Sequence, residues 1–598
     1  MPPAKKSSAH SGPPKTLRTE SMLGWVGKGV DVSVGPNSMK VSTVHSHSFL
    51  ANANLDFEGP VEVTLRLRSV KDGKAKFQWR TKDQKDFTAK TQVKSFLIKK
   101  GEWSEMTVTL PVKGSLKHLR LFIPPIKNSI EVDWVEIGSA GARAEDLKRW
   151  DFKAPSKASQ KKKLKPNVIL ILADDLGYGE LGCYGSEDVK TPNMDRLAKE
   201  GVRCTDGYSA FPVCSPSRAA ILTGRYPARF GPTYEDYYGG GSPELDPAKH
   251  PTIGKFMQEA GYRTACFGKW NVSNLNRRRA NDFGFDRWVG LHLNHDFYTH
   301  KLVRTGELDM YEDGKPYSKK QGTWCDTVFA DEAISFIEAE HEKPFFIFLP
   351  FQAPHTPIQD PDIPMDKPQD KNRTTLIKMI ERLDHEIGRV MKVLEQKKLA
   401  ENTLIIVTSD NGGEQKISRN LPLGGSKQML LEGGIRVPYI LRWPSVLPAG
   451  KTYSAPVSAY DLTATVAKAG GAKSPLNKPF DGVDLTAVLT GENKIPDNRP
   501  LFFRRRNIKV TVNQNQIRQS AVRQGEWKYL RTYKPGGNGK YKPALYNLKR
   551  DIGETKNLAV ENPSKTKALS SLLDQWENDI SKTAEPMPGP TRRKKTKK

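Results

Sequence analysis

No apolar stretch in this chain of 598 residues approaches the ~20 residues that cross a bilayer, which argues against a membrane span. Cysteine is scarce: Cys183, Cys204, Cys214, Cys266 and Cys325 are the five, with none in the first 150 residues. Their number is odd and no CxxC pair occurs, which argues against a structural zinc and a disulfide framework. The ordinary role of each is that of a small buried side chain; Cys214 is set apart below. Zinc-finger, RNP and Walker signatures are also missing, so a dedicated nucleic-acid protein is not expected. The start, Met1-Pro-Pro-Ala-Lys-Lys, has no apolar segment behind its basic residues, so no export signal is visible. Either the protein stays in the cytoplasm or its signal is absent from this sequence. No internal repeat occurs.

What the chain has is positive charge. The formal net charge is +28, with 37% hydrophobic and 27% charged residues. The profile is that of a soluble globular protein, and the excess favours an anionic partner: nucleic acid, an anionic membrane surface or a sulfated polymer. Two basic runs, Lys161–Lys165 and Arg592–Lys598, read as solvated linker and tail.

The pattern changes several times along the chain. Residues 1–21 are rich in Pro, Ser and Lys and are expected to be disordered. From 22 to 139, short alternating runs such as Val61, Val63, Leu65 and Leu67 are separated by turns such as Lys71-Asp72-Gly73-Lys74, which predicts a β-sandwich. Ile130, Val132, Trp134 and Ile137 form its closing strand, with one slip in the alternation. This segment loosely resembles the jelly-roll accessory modules found beside polysaccharide-active enzymes. Trp79 and Trp103 are candidate sugar platforms there, although core packing is the commoner role of a sandwich Trp. Residues 140–165 read as a linker. From 166 to 498 strands and helices alternate, which predicts a mostly parallel sheet with helices on both faces. The helix at 375–397 places Leu376, Ile380, Leu383, Ile387, Val390 and Leu394 on one face. Residues 499–583 read as a small antiparallel sheet with a closing helix, and 584–598 as a basic tail.

Polar residues gather at strand ends. Asn167–Ala173 stops at Asp174-Asp175, and Thr403–Ser409 stops at Asp410-Asn411. Pro344–Pro350 leads to His355, and Tyr262–Phe267 leads to Lys269. In an open parallel sheet, ligands bind outside the carboxyl ends of the strands. A single Asp there often caps the next helix, but an Asp-Asp pair and an Asp-Asn pair after two buried strands form a set of hard oxygen donors. Such donors suit Ca²⁺ or Mg²⁺ rather than zinc, and Ca²⁺ is the better match where protein and substrate supply all ligands.

Cys214 stands in Cys214-Ser-Pro-Ser-Arg218. Pro216 fits the first turn of a helix, Arg218 lies one turn beyond Cys214, and a helix N-terminus activates a nucleophile and holds an anion. Along the chain the order is Asp174-Asp175, Cys214–Arg218, Lys269, His355, Asp410-Asn411 and Lys427. With Thr191-Pro-Asn-Met-Asp-Arg-Leu197, Ser409-Asp-Asn-Gly-Gly-Glu414 and Glu432-Gly-Gly-Ile-Arg-Val-Pro438, this resembles the sulfatase family of the alkaline phosphatase superfamily, over about Pro166 to Leu558.

That resemblance implies an alkaline-phosphatase-like fold and a sulfuric ester hydrolase. It implies that a formylglycine-generating enzyme oxidises Cys214 to formylglycine (3-oxoalanine), whose hydrate attacks sulfur. By the same likeness, Asp174, Asp175, Asp410, Asn411 and residue 214 hold Ca²⁺, and Arg218 orients the nucleophile. Lys269 and Lys427 hold sulfate and leaving-group oxygens, and His355 protonates the departing alcohol. A periplasmic or secreted location also follows from the family. One position departs: many members read Gly-Lys-Trp-His, whereas this chain reads Gly268-Lys-Trp-Asn271. The missing His is the group thought to let sulfate leave, and Asn is no base near neutral pH. Residues 272–325 should wall the pocket, with Arg277, Arg278, Arg279, His292, His295, Asp296 and His300 as candidate sugar contacts beside Asn271. Basic charge and the β-module favour a sulfated polysaccharide or oligosaccharide. The rival readings are a phosphonate monoester or phosphodiester hydrolase of the same superfamily, and a non-catalytic binder of sulfated glycans. Oligomeric state stays open.

Overall fold

The computed structural model describes residues 16–17, 22–28, 30–34, 38–43, 48–87, 92–124, 130–143, 146–152, 165–231, 245–273, 278–340, 342–363, 369–473, 480–492, 495–496, 498–505, 518–534 and 539–584. Most of the expected disordered N-terminus, Lys161–Lys163, Arg277 and nearly all of the basic tail lie outside them. The chain divides into two compact units, Met1–Lys163 and Leu164–Lys598.

The first unit has two antiparallel sheets of seven and six strands. Period-two patterning makes them: Val61–Ser69 alternates buried and less buried positions along its length. Val63, Leu65 and Leu67 of one sheet share a core with Phe77, Trp79, Leu119 and Leu121 of the other. Trp79 is 2% exposed and belongs to that core, so it offers no face to a sugar. Trp103 lies under the guanidinium groups of Arg66 and Arg68, at 5.6 and 5.0 Å. The slip in the closing strand is a β-bulge between Val132 and Trp134. It brings Val135 and Ile137 into the core and leaves Trp134 under Arg149. The sheet also runs past 139. Lys148–Asp151 pairs with Ile130–Ser139, and Trp150 and Phe152 bury against Trp25. Those two aromatics lie in the stretch read as linker because a four-residue strand among lysines carries little periodic signal.

The second unit is built on a ten-stranded sheet. Five adjacent strands, Arg287–Leu291, Arg263–Phe267, Phe345–Pro350, Asn167–Ala173 and Thr403–Ser409, run parallel in that order. Antiparallel strands flank them on both sides. Alternate residues of Asn167–Ala173 enter different cores: Val168, Leu170 and Leu172 one, Ile169, Ile171 and Ala173 the other. The sheet is therefore covered on both faces, as near-continuous apolar strands require. The helix expected at 375–397 is Arg373–Gln396, its N-terminus capped by Asn372 accepting from the Thr375 N–H at 3.0 Å. A four-stranded antiparallel sheet, Leu501–Arg505 to Tyr541–Asn547, and the helix Pro563–Thr583 follow toward the end of the described residues. Among the described residues no helix is long and apolar enough to cross a membrane.

Gly268, which turns the chain from strand to Lys269, has φ 132°. A Cβ there would sit 2.0 Å from the Pro350 carbonyl oxygen, a backbone atom that cannot step aside. Gly268→Ala is expected to cost at least about 2–3 kcal/mol of unfolding free energy. A urea melt reads this, and an unchanged midpoint would refute the constraint.

Candidate active site

Four strand ends and one helix start converge. Asp174 and Asp175 follow Asn167–Ala173, and Asp175 has φ 67°. That left-handed conformation is held by two donated bonds: the Asp175 N–H reaches Asp410 Oδ1 (3.2 Å) and the Leu176 N–H reaches Ser409 Oγ (2.9 Å). Cys214 opens the helix Cys214–Thr223, as Pro216 predicted, with Gly224 ending it at φ 68°. Ligand atoms of Asp174, Asp175, Cys214 and His355 all lie within 4.8 Å of one another, and all four residues are buried.

Cations surround them. Lys269 Nζ is 2.5 Å from Asp174 Oδ2, and Lys427 Nζ is 2.5 Å from Asp175 Oδ2. Arg218 donates from Nε to Asp410 Oδ2 at 2.8 Å and from Nη1 to the Lys269 carbonyl at 2.7 Å. Three carboxylates thus face three cations, none more than 9% exposed at its side chain. Burial pushes Asp174 up, but the charges of Lys269, Arg218 and Lys427 outweigh it and hold the carboxyl well below the usual range. Burial, then the Asp174 charge, pushes Asp410 up to about 7. Burial and Asp174 likewise raise the Cys214 thiol, so the encoded side chain is held as a thiol.

His355 is neutral in this setting: burial, then the Lys427 charge, brings it down to about 4. Its Nδ1 is 2.6 Å from the Thr356 carbonyl, so Nδ1 carries the proton and Nε2 is the acceptor. Lys427 Nζ (3.0 Å) and Asn294 Nδ2 (2.9 Å) both donate to that Nε2.

The donor set fits a hard divalent cation. Asn411 donates Nδ2–H to Asp175 Oδ1 at 2.7 Å, which turns its Oδ1 the other way. That oxygen is buried and has no hydrogen-bond partner among the described residues. A buried carbonyl oxygen left over beside three carboxylates is what a cation ligand looks like before the ion is added.

Asn271 sits beside the helix start, where its Oδ1 accepts from Ser215 Oγ–H at 2.5 Å, with φ 55°. His292 keeps some exposure, and burial, then the Lys269 charge, brings it down to about 4. His295 and His300 have other surroundings. Both are fully buried, their rings stack at 5.5 Å, and His300 Nε2 is 2.9 Å from the Thr323 carbonyl. Asp296 accepts the N–H groups of Tyr298 and Thr299. Asp296 and His300 Nε2 thus bond within their own loop, whereas both ring nitrogens of His295 and Nδ1 of His300 are buried without a hydrogen-bond partner among the described residues. Arg278 is paired with Asp246 at 2.7 Å, and Arg279 caps the turn at Ala280–Phe283.

Three contributors were missed by the sequence reading. Asn294 lies between two histidines that drew attention by type. Glu414 lies 3.7 Å from Lys427 within a motif already quoted. Asp326 accepts the N–H groups of Gln352 (2.8 Å) and Ala353 (2.9 Å), which fixes the turn leading to His355. Only Asn294 had a usable signal, its place just beyond a parallel strand's carboxyl end.

The sulfatase family model matches residues 166–472. The chain belongs to the sulfatase family. This sulfatase is 31% identical over 381 residues to N-acetylgalactosamine-6-sulfatase of Canis lupus familiaris, covering 59% of this chain and 71% of that protein. It matches the crystal structure of Ps i-CgsB in complex with k-i-k-neocarrahexaose at a TM-score of 0.61 and 31% identity, over 71% of this chain and 95% of that one. At the level of fold alone, it is similar to the phosphonate monoester hydrolase of Agrobacterium radiobacter, with 21% identity and a TM-score of 0.52 over 70% of this chain and 96% of that one.

In this sulfatase Arg218 is fully buried and leans on Asp410. Asp410→Ala removes that partner and strands a guanidinium charge, so it is expected to cost about 3–5 kcal/mol. Chemical denaturation measures it; a loss below about 1 kcal/mol would mean that Asp174, 3.7 Å away, suffices.

Proposed function

We propose that this sulfatase releases inorganic sulfate from a sulfated polysaccharide or oligosaccharide, with Cys214 matured to formylglycine and Ca²⁺ held at the strand ends. The observation that carries the reading is the convergence of Cys214 with Asp174, Asp175 and His355, with Lys269 and Lys427 bound to the two carboxylates. The glycan class is supported by the two relatives above, one named for N-acetylgalactosamine 6-sulfate and one crystallised with a neocarrahexaose. Basic net charge supports it as well.

The matured residue supplies two hydroxyls from its aldehyde hydrate, one for attack on sulfur and one for the later release of sulfate. Bound Ca²⁺ supplies positive charge against the sulfate oxygens; Asp174, Asp175, Asp410 and the free Oδ1 of Asn411 would hold it. The chain's own residues do the rest. Arg218, one turn beyond Cys214, fixes the helix start by its bonds to Asp410 and the Lys269 carbonyl. Lys269 and Lys427 offset charge that builds on the sulfuryl oxygens and the leaving oxygen. His355 moves the proton: Nδ1 is anchored on Thr356, so Nε2, unprotonated in the neutral ring, must take up a proton once the anionic ester is bound before it passes one to the departing alcohol. Asn271 cannot accept the proton whose removal frees sulfate, so another group must take it or release is slow.

Free sulfate from a panel of sulfated glycans tests the whole reading, using Ca²⁺-loaded protein matured by a formylglycine-generating enzyme. Release is expected from the parent and none from Cys214→Ala. Turnover of an aryl phosphodiester in preference to every sulfate ester would favour the phosphorus-ester hydrolase. Chelation is expected to abolish release, and added Ca²⁺ to restore it. In a rapid-quench assay, Asn271→His is expected to speed the sulfate-release step about tenfold or more; no change would show that this step does not depend on position 271.

A further inference from the structure

The outer faces of the two sandwich sheets carry arginines in opposite circumstances. On the six-stranded sheet they are neutralised: Arg66 pairs with Asp133 at 3.2 Å, and Arg68 with Glu131 at 2.9 Å. On the seven-stranded sheet they are not. Cross-strand register sets Phe122 between Phe49 and Lys76, Arg120 between Ala51 and Gln78, and His118 opposite Arg80. No acidic residue occurs in those three rows.

Aromatic rings take the place of carboxylates. The Arg120 guanidinium lies 3.6 Å from the Phe87 ring centre and 4.8 Å from that of Phe49. Lys76 lies 4.7 Å from the Phe122 ring, and Arg80 lies 5.9 Å from Phe87. Arg80 donates only to backbone carbonyls, those of Gln84 and Lys85, among the described residues. Arg80 Nε, Arg120 Nε and His118 Nε2 are buried without a hydrogen-bond partner among the described residues. Like charges are thereby held together: burial, then Arg80, lowers Arg120, and burial, Arg120 and Arg80 bring His118 down to about 4. Such a cluster costs free energy in the free protein, and an anion seated on it would relieve that cost.

We propose that this face binds sulfated sugar chains, Arg80 and Arg120 taking sulfate groups and the rings of Phe49, Phe87 and Phe122 taking sugar faces. The occupant is chosen by complementarity. A guanidinium fork matches the paired oxygens of a sulfate ester. Half-buried rings beside it match the apolar C–H face of a pyranose better than they match water. An anion alone would need no rings. The choice of sulfated sugar over another polyanion rests on the substrate reading above, and it adds to that reading a holding site outside the catalytic unit.

The test uses the full chain carrying Cys214→Ala, so that binding is read without turnover. Affinity for a sulfated carrageenan is compared with that for unsulfated dextran and for duplex DNA of equal charge. Arg80→Gln with Arg120→Gln is expected to weaken carrageenan binding about tenfold or more. Arg66→Gln with Arg68→Gln, on the other sheet, is expected to leave it unchanged. In the unmutated chain, carrageenan is expected to shield Arg80 and Arg120 from phenylglyoxal, read by peptide mass, which keeps the test valid if the double variant misfolds. Unchanged affinity in a folded double variant, no shielding, or DNA bound as tightly as carrageenan would each overturn the proposal. Because catalysis plays no part, carrageenan binding with no sulfate release from the parent would sink the substrate reading alone.

Discussion

The neutralisation of three buried carboxylates by three buried cations is the interaction on which the catalytic unit depends. Asp174, Asp175 and Asp410 stand at the ends of adjacent strands, where water is excluded by sheet and helices on both faces. A lone charge in that position costs several kcal/mol, more than one hydrogen bond returns. Arg218, Lys269 and Lys427 come from three other segments, so the site exists only when all of them have docked. The same balance makes the site receptive: a divalent cation and a singly charged sulfate ester entering together change its total charge by only one unit.

Geometry around this cluster is secured from behind. Asp326, at the start of a helix, holds the turn before His355 through two backbone N–H groups. The C-terminal sheet is tied to the loop that carries Lys427. Lys528 Nζ lies 2.9 Å from both Glu432 and Glu554, and Glu554 accepts the Glu432 N–H. Two residues on, the Gly434 carbonyl accepts the Gly412 N–H beside Asn411. Residues of the C-terminal sheet thus help to fix Lys427 and Asn411 beside the carboxylate cluster.

Within the sandwich, charge is treated in two ways on its two outer faces. One sheet pairs its arginines with Glu131 and Asp133, which makes an ordinary solvated surface. The other stacks them on phenylalanine rings, which keeps the charges unneutralised and the rings half covered. Only the second arrangement leaves binding capacity for an outside anion.

Sequence alone determined most of the elements and named most of the side chains that converge at the strand ends. Period-two and period-3.6 apolar patterns set the sandwich, the parallel sheet and the long helix at 373–396, because burial of one face is a local property of the chain. Placing Asp174, Asp175, Lys269, His355 and Asp410 on one edge needed only the rule that ligands gather at strand carboxyl ends, and Cys214–Arg218 needed only a helix start. Tertiary structure decided the rest. That His295 and His300 stack on each other in full burial while Asn294 touches His355 depends on how one loop folds, and residue type carries no trace of that. Whether an arginine meets a carboxylate, as Arg68 meets Glu131, or a ring, as Arg120 meets Phe49 and Phe87, is set by neighbours distant in sequence. Partnership between distant residues is a property of packing, and a linear pattern records only what each residue prefers, never what it finally meets.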